Sequence, residues 1–496
     1  MGFDLDFETR RALGYKLVDR LNDYYASLRD CPVQLPVGQR PAGHPSMELP
    51  ETGEDPASVL DGLFDELIDK GFHTPSANYF GLQNPTPTYM SVLAEALVAA
   101  INPQLASLVH ARLASQIEQE TVRWIGARVG WTRPFDGTFT SGGSEANFTA
   151  LTLALASRFP AVVEDGVGGL DAHPVFYCTD EAHHSIDKAA GLAGLGRKAL
   201  RRIPVTSSIQ LDVGFLERQI QQDEADGFTP FCVVATAGTT SSGAVDDIVA
   251  IADICERYGL WLHVDGAYGA ALVLSDKHRH IIRGIERADS ITMDPHKWLA
   301  TSMAAGMVLT SRPETLRQVF ATSNPFMPKL QGAAAVDNFD LGLQWSRRMN
   351  SLKLWLTLRV HGRRGYEEMI DRQMALAGNF ADWVRASGIF ELAAPPMTPS
   401  VIFRVKLPPS ASDDEIRAAN EAVVREVTDD GRLWLSTATV GGRPVIRMLV
   451  ISYLSGERNV DDLKTALADA ARHLPDHGEP DVVALSRRAK ASVTAA

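Results

Sequence analysis

The chain has 496 residues, 45% hydrophobic and 22% charged, an ordinary globular composition long enough for two or three structural units. A net charge of −13 disfavours nucleic acid or an anionic membrane surface as a partner, and no apolar run is long enough to span a bilayer. The acidic start lacks the pattern of a signal peptide, Asp6 stands where N-myristoylation wants Ser or Thr, and Cys31, Cys178, Cys232 and Cys255 form no CxxC pair, so a reduced, cytoplasmic protein is expected.

Residues 7–28 repeat Leu13, Leu17, Leu21, Tyr24 and Leu28 at helical spacing and predict an amphipathic helix. Six prolines between 31 and 56 prevent a helix there and predict an extended arm. Helical patterns return at 58–71, 89–102 and 112–129, with a Pro-broken apolar loop at 79–87 between the first two. Short apolar runs then alternate with helical stretches: 175–178, 231–236, 260–264, 290–293 and 306–310. That alternation predicts an α/β fold with a mostly parallel central sheet buried on both faces. Its site belongs outside the carboxyl ends of the strands. Beyond 351–358 a long helix leads into a smaller α+β unit, with strands near 400–405, 433–437 and 445–451. The expected division is an N-terminal helical arm over 1–88, a large domain over 89–360, a small C-terminal domain over 361–475, and a poorly ordered tail over 476–496.

Polar motifs follow the apolar runs. Thr140-Ser-Gly-Gly-Ser-Glu-Ala-Asn147 opens a helical run. Gly143 allows close backbone approach, Ser144 adds a hydroxyl, and the free N–H groups of a helix start favour an anion. The pattern is neither a P-loop nor GxGxxG, so a monophosphate fits better than a nucleotide; a plain Gly turn with a Ser cap would read the same. His183 and His184 follow 175–178 with no Cys or Glu at metal-ligand spacing, so no zinc site is read; an imidazole laid on a flat cofactor ring is the alternative to a structural histidine. Asp265 ends the run 260–264, where a buried carboxylate needs a cation, and Ala267 leaves room for a flat ring. In Ser290-Ile-Thr-Met-Asp-Pro-His-Lys297-Trp-Leu299, apolar neighbours disfavour a hydrated ammonium at Lys297, and such an amine can form a Schiff base. Together a nucleophilic amine, a phosphate cradle, an aspartate for a pyridinium and a stacking histidine describe pyridoxal 5'-phosphate.

The motifs at 140–147, 182–183, 235–240, 263–267, 294–298 and 347–355 (Arg-Arg-Met-Asn-Ser-Leu-Lys-Leu-Trp) resemble those of the group II pyridoxal-phosphate decarboxylases, which include aromatic-L-amino-acid, glutamate and diaminobutyrate decarboxylases. The likeness runs from about residue 8 to about residue 470. It implies a fold-type-I enzyme, with the cofactor in the 89–360 unit, and a homodimer with active sites at the subunit interface. It further implies that Lys297 holds the cofactor as the internal aldimine, Asp265 pairs with the pyridinium, and His183 stacks on the ring and takes part in proton transfer. Gly143, Ser144 and His296, joined by Asp294, would hold the phosphate; Thr240 and Ala267 would line the ring. Arg447 matches a family arginine near the substrate carboxylate. Asn84 and Thr86 fall in a segment that lines the substrate pocket in aromatic members.

The implied reaction is decarboxylation of an L-amino acid to its amine and carbon dioxide. Many members carry a tyrosine on a loop matching 324–346; none stands there in this chain, and Asn338 or Phe339 falls nearest its place. Related proteins lacking that tyrosine make an aldehyde instead of an amine, so oxidative deamination is the alternative product. The segments matching 81–86 and 101–110 lack the aromatic residues of aromatic-specific members, so an aromatic substrate stands only narrowly ahead of a diamino or acidic one. An aminotransferase would share fold and cofactor, but the contexts of His183 and Lys297 argue against it.

Overall fold

Apolar runs too short for helices build the centre of the molecule. The computed structural model describes residues 4–40, 49–322 and 336–474; the tail read over 476–496, residues 41–48 of the Pro-rich arm and residues 324–335 of the loop at 324–346 lie outside them. Among the described residues seven strands form one sheet: β1 (Asp136–Thr140), β2 (Pro174–Thr179), β3 (Leu200–Ile203), β4 (Thr229–Thr236), β5 (Trp261–Asp265), β6 (Ser290–Met293) and β7 (Gly306–Thr310). Their order is β1-β7-β6-β5-β4-β2-β3. The pairs from β3 to β6 are parallel, whereas β7 runs antiparallel to both β6 and β1. The reason is local: the twelve-residue loop 294–305 that joins β6 to β7 contains no helix, and a parallel return usually crosses over through one. That loop carries Lys297.

Every residue of β2, β5, β6 and β7 is buried, as a sheet covered on both faces requires. One face packs Val233, Val264 and Ile291 into the main core; the other packs Phe176, Val234 and Trp261 against helices. At the front, helices α1 (Phe7–Ser27), α2 (Pro56–Phe64), α3 (Tyr89–Ile101) and α4 (Leu108–Val129) precede the sheet, and α5 (Gly143–Arg158) follows β1 directly. Asp6 and Asp55 cap α1 and α2, each accepting a backbone N–H three residues on. The Pro-rich arm is not wholly extended, since Val37–Gln39 makes one 3-10 turn.

Beyond the sheet, the helix Ser351–Ala386 breaks at Gly362, whose φ of 65° suits a residue without a Cβ. It leads to an antiparallel sheet of β8 (Phe390–Leu392), β9 (Ser400–Val405), β10 (Ser436–Val440) and β11 (Arg443–Leu449), ordered β10-β11-β9-β8. Phe380, Phe403, Val423 and Ile446 fill a second core there. No helix among the described residues is long and apolar enough to cross a membrane.

Candidate active site

The carboxyl ends of β2, β4, β5 and β6 converge on a cavity of about 390 Å³, the position expected for a ligand in an open α/β sheet. All nine residues expected to hold the cofactor line it: Gly143, Ser144, His183, Thr240, Asp265, Ala267, Asp294, His296 and Lys297. They arrive from several elements. Gly143 and Ser144 begin α5, where the first N–H groups have no acceptor one turn back; those of Glu145 and Ala146 go to the Gly142 carbonyl. The turn at this entry is closed by Glu145, which accepts both the Ser141 N–H and hydroxyl, at 2.8 and 2.7 Å. His183 follows β2, Thr240 follows β4, and Asp265 is the last residue of β5.

Lys297 places Nζ 3.2 Å from Asp294 Oδ2, and His296 Nε2 lies 3.8 Å from the same oxygen. Asp294 was expected beside the phosphate. It faces Lys297 and also stands at the Gly143 turn, where an added Cβ would meet its Oδ2 at 2.7 Å. His296 Nδ1 lies 2.6 Å from the Ala305 carbonyl, which fixes the ring across the 294–305 loop. Burial holds its pKa below the ordinary histidine value, against the opposing pull of Asp294.

Asp265 is 4% exposed. Its Oδ2 accepts Asn147 Nδ2 at 2.9 Å, and its Oδ1 accepts the Ala267 N–H at 3.2 Å. Among the described residues no cationic side chain forms an ion pair with it; the nearby Lys297 and His296 pair with Asp294. A buried carboxylate without a counter-charge is costly, and a protonated pyridine nitrogen supplies one. The cradle at the other end is equally demanding. A Cβ on Gly143 would stand 2.7 Å from Asp294 Oδ2 and 3.3 Å from the Ala267 Cβ, so bare backbone is needed there. The residues present therefore fit pyridoxal phosphate: free N–H groups and a hydroxyl for the phosphate, Lys297 for the aldehyde carbon, and Asp265 for the ring nitrogen.

His183 is held by Ser185, whose Oγ lies 2.8 Å from Nδ1. Burial lowers its pKa, Asp265 raises it, and His184 and Lys297 lower it further.

The substrate contacts read from the sequence fare differently. Thr86 is fully buried and its hydroxyl is consumed by the Pro75 carbonyl and Ser452 Oγ, both at 2.6 Å. It does not line the cavity. Arg447 is buried behind the wall, with Nη1 2.7 Å from the carbonyl of Thr240. Asn84 reaches only the rim, where Nδ2 lies 3.9 Å from Met303 Sδ. Near the expected tyrosine position, Asn338 Nδ2 is spent on the Leu105 carbonyl and Ser115 Oγ, and Phe339 stacks on Trp345; neither lines the cavity. Among the further lining residues, Gln83 and Asn147 were given no role from the sequence. Gln83, next to Asn84, is 8% exposed, and its polarity amid an apolar loop was the available signal. Asn147 closes the Gly-rich motif, and only its position in that motif marked it.

A model of the pyridoxal-dependent decarboxylase conserved domain matches residues 44–406. An aromatic-L-amino-acid decarboxylase of Bacillus atrophaeus is 32% identical over 451 residues, 90% of this chain and 92% of that one. An L-2,4-diaminobutyrate decarboxylase of Acinetobacter baumannii is 31% identical over 400 residues, 78% of each chain. The solved Oryza sativa TDC with PLP and tryptamine superposes with a TM-score of 0.87 at 27% identity, covering 96% of this chain and all of that one.

Proposed function

The chain belongs to the pyridoxal-dependent decarboxylase family, and from that premise we propose that it converts an L-amino acid, an aromatic one first, to the amine and carbon dioxide. That it is a pyridoxal-phosphate amino acid decarboxylase, a carboxy-lyase, follows from the family itself; the substrate, the product and the roles of single residues are our reading. One observation carries it: Lys297 and the cation-free carboxylate of Asp265 share one cavity with the bare start of α5.

When bound, pyridoxal phosphate supplies an aldehyde that captures amines and a ring that accepts the electron pair left by departing carbon dioxide. Lys297 offers the amine that holds the cofactor, and Asp294 orients that amine. Asp265 keeps a proton on the ring nitrogen, which stabilises charge as it develops. Gly143 and Ser144 anchor the phosphate with His296 nearby, while Thr240 and Ala267 confine the ring. His183, in the cavity wall, would cover the ring face and could move a proton at Nε2. The active unit is a homodimer with the cavity at the subunit interface.

An aromatic substrate is supported by the Bacillus atrophaeus relative. A diamino or acidic substrate is the second reading, favoured by Gln83 in the cavity wall and by the Acinetobacter baumannii relative. The test is incubation of the cofactor-loaded protein with separate pools of aromatic, acidic and basic L-amino acids, following carbon dioxide, amine, aldehyde and peroxide together. Equal yields of carbon dioxide and amine from the aromatic pool are expected. The same yields from another pool would reassign the substrate; aldehyde with peroxide would reassign the product.

A further inference from the structure

Behind Asp265 lies a chain of buried polar groups that the reaction as described leaves without a role. At its centre Asn147, 1% exposed, makes four side-chain hydrogen bonds. Nδ2 reaches Asp265 Oδ2 and Ser185 Oγ, each at 2.9 Å. Oδ1 receives Thr292 Oγ1 at 2.7 Å and His263 Nε2 at 3.0 Å. The amide orientation follows from chemistry: a carboxylate only accepts, so the NH2 group faces Asp265 and the carbonyl oxygen faces His263.

We infer that Asn147 is a positioning residue whose single amide fixes the carboxylate of Asp265 and the tautomers of both His263 and His183. The inference rests on the proposed role of Asp265.

The protons can be placed one bond at a time. Asn147 Oδ1 cannot donate, so His263 carries its proton on Nε2. Its Nδ1 is then an acceptor, and Ser290 Oγ lies 2.9 Å away. That hydroxyl takes the Trp261 indole N–H at 2.8 Å and is left with its own proton to give. The Ser290 carbonyl, 3.2 Å from Nδ1, would compete only for a doubly protonated ring, which full burial opposes. On the other branch, Ser185 Oγ receives Asn147 and gives its proton to His183 Nδ1 at 2.8 Å. The Ser185 N–H, 3.3 Å from the same nitrogen, agrees. His183 is thereby left with its proton on Nε2. Asn147, which does not touch His183, thus acts on its tautomer through the Ser185 hydroxyl, the shorter of the two contacts to Nδ1.

The test is 15N NMR of histidine-labelled protein, without and with pyridoxal phosphate. The chain has 13 histidines, so His183→Gln and His263→Gln variants assign the two rings by loss of signal. In the unsubstituted protein each ring should give two well-separated nitrogen signals, the mark of a fixed tautomer. Asn147→Leu should collapse both pairs toward the average of an exchanging imidazole. It should also weaken cofactor affinity by about tenfold, the scale of one hydrogen bond to a charged group. Ser185→Ala should collapse the His183 pair alone. Asn147→Asp, which keeps the shape and replaces the donor facing Asp265, should not restore the Asn147→Leu loss of affinity. Separated His183 and His263 signals in Asn147→Leu would overturn the inference, as would loss of the His263 pair in Ser185→Ala. The Ser185→Ala arm stands even where Asn147→Leu fails to fold. Failure of the unsubstituted chain to take up the cofactor would count against the functional reading, while the tautomers measured without cofactor still decide the inference.

Discussion

Lys297 has one carboxylate neighbour at 3.2 Å, Asp294, and apolar Trp298 and Leu299 close behind it. Lys297→Ala removes the amine that captures the cofactor, so the visible absorbance of the loaded protein should be lost on gel filtration. Carbon dioxide release should fall by about a thousandfold or more, the usual consequence of deleting a covalent catalytic group. Asp265→Asn keeps the size but not the charge. The expected drop in kcat is about a hundredfold, with the KM for substrate little changed, because the charge acts on the transition state. The histidine behind this site makes a separate prediction about stability. Burial depresses the His263 pKa below its ordinary value of 6.5, with Asp265 opposing. The unfolded chain therefore binds the proton first as pH falls. The stabilising contribution is complete above the ordinary value and is lost as pH drops through the depressed folded value. Urea midpoints measured at pH 7 and pH 5 should fall with pH, and less so in His263→Gln.

At the scale of elements, α5 ties the phosphate end of the cavity to the sheet. A Cβ on Gly143 meets Asp294 Oδ2 at 2.7 Å, so Gly143→Ala must displace either the helix start or the partner of Lys297. Cofactor affinity should fall by about tenfold or more while the melting temperature changes little, since the clash lies at the cavity wall. Equilibrium dialysis with pyridoxal phosphate reads this directly. The elements easiest to read in the sequence were those buried on both faces. β2, β4 and β5 are continuous apolar runs, and the motifs at their ends led to Lys297, Asp265 and His183. β1 and β3 were not read. Asp136-Gly-Thr-Phe-Thr140 has one large apolar residue, and its strand state comes from pairing with β7 across the sheet. β3, Leu200-Arg-Arg-Ile203, is an edge strand; Arg201 and Arg202 are only partly buried and reach Asp223 and Asp187, so no apolar run marks it. The same limit applies to Thr86 and Arg447. Their place in a motif was legible, but whether a side chain faces the cavity or its own backbone depends on packing from distant residues such as Ser452 and Thr240.

For the molecule as a whole, the helices ahead of the sheet leave much apolar side chain exposed. No residue of α1 is buried. On α3, Ser91, Ala94 and Val98 face inward, while Leu93, Leu97 and Ile101 are 42%, 48% and 64% exposed at intervals of four residues. That spacing makes one continuous apolar stripe along the helix, and Leu113 of α4 adds to the exposed apolar surface at 71%. Such surface marks an interaction site. A second copy of the chain is the proposed cover, and Leu82 and Met303, both exposed, bring the cavity rim into the same argument. The intact protein should sediment at twice the mass of one chain. Leu97→Glu places a charge in the stripe of each subunit. With about 2 kcal/mol lost per buried leucine and the loss repeated by symmetry, the dimer should weaken on the order of a thousandfold. Near-ultraviolet circular dichroism should show the monomer still folded. If the cavity needs the partner, activity should fall in proportion to the dimer remaining at each protein concentration. A fully active monomer would show instead that one chain completes its own site and that the stripe serves another contact.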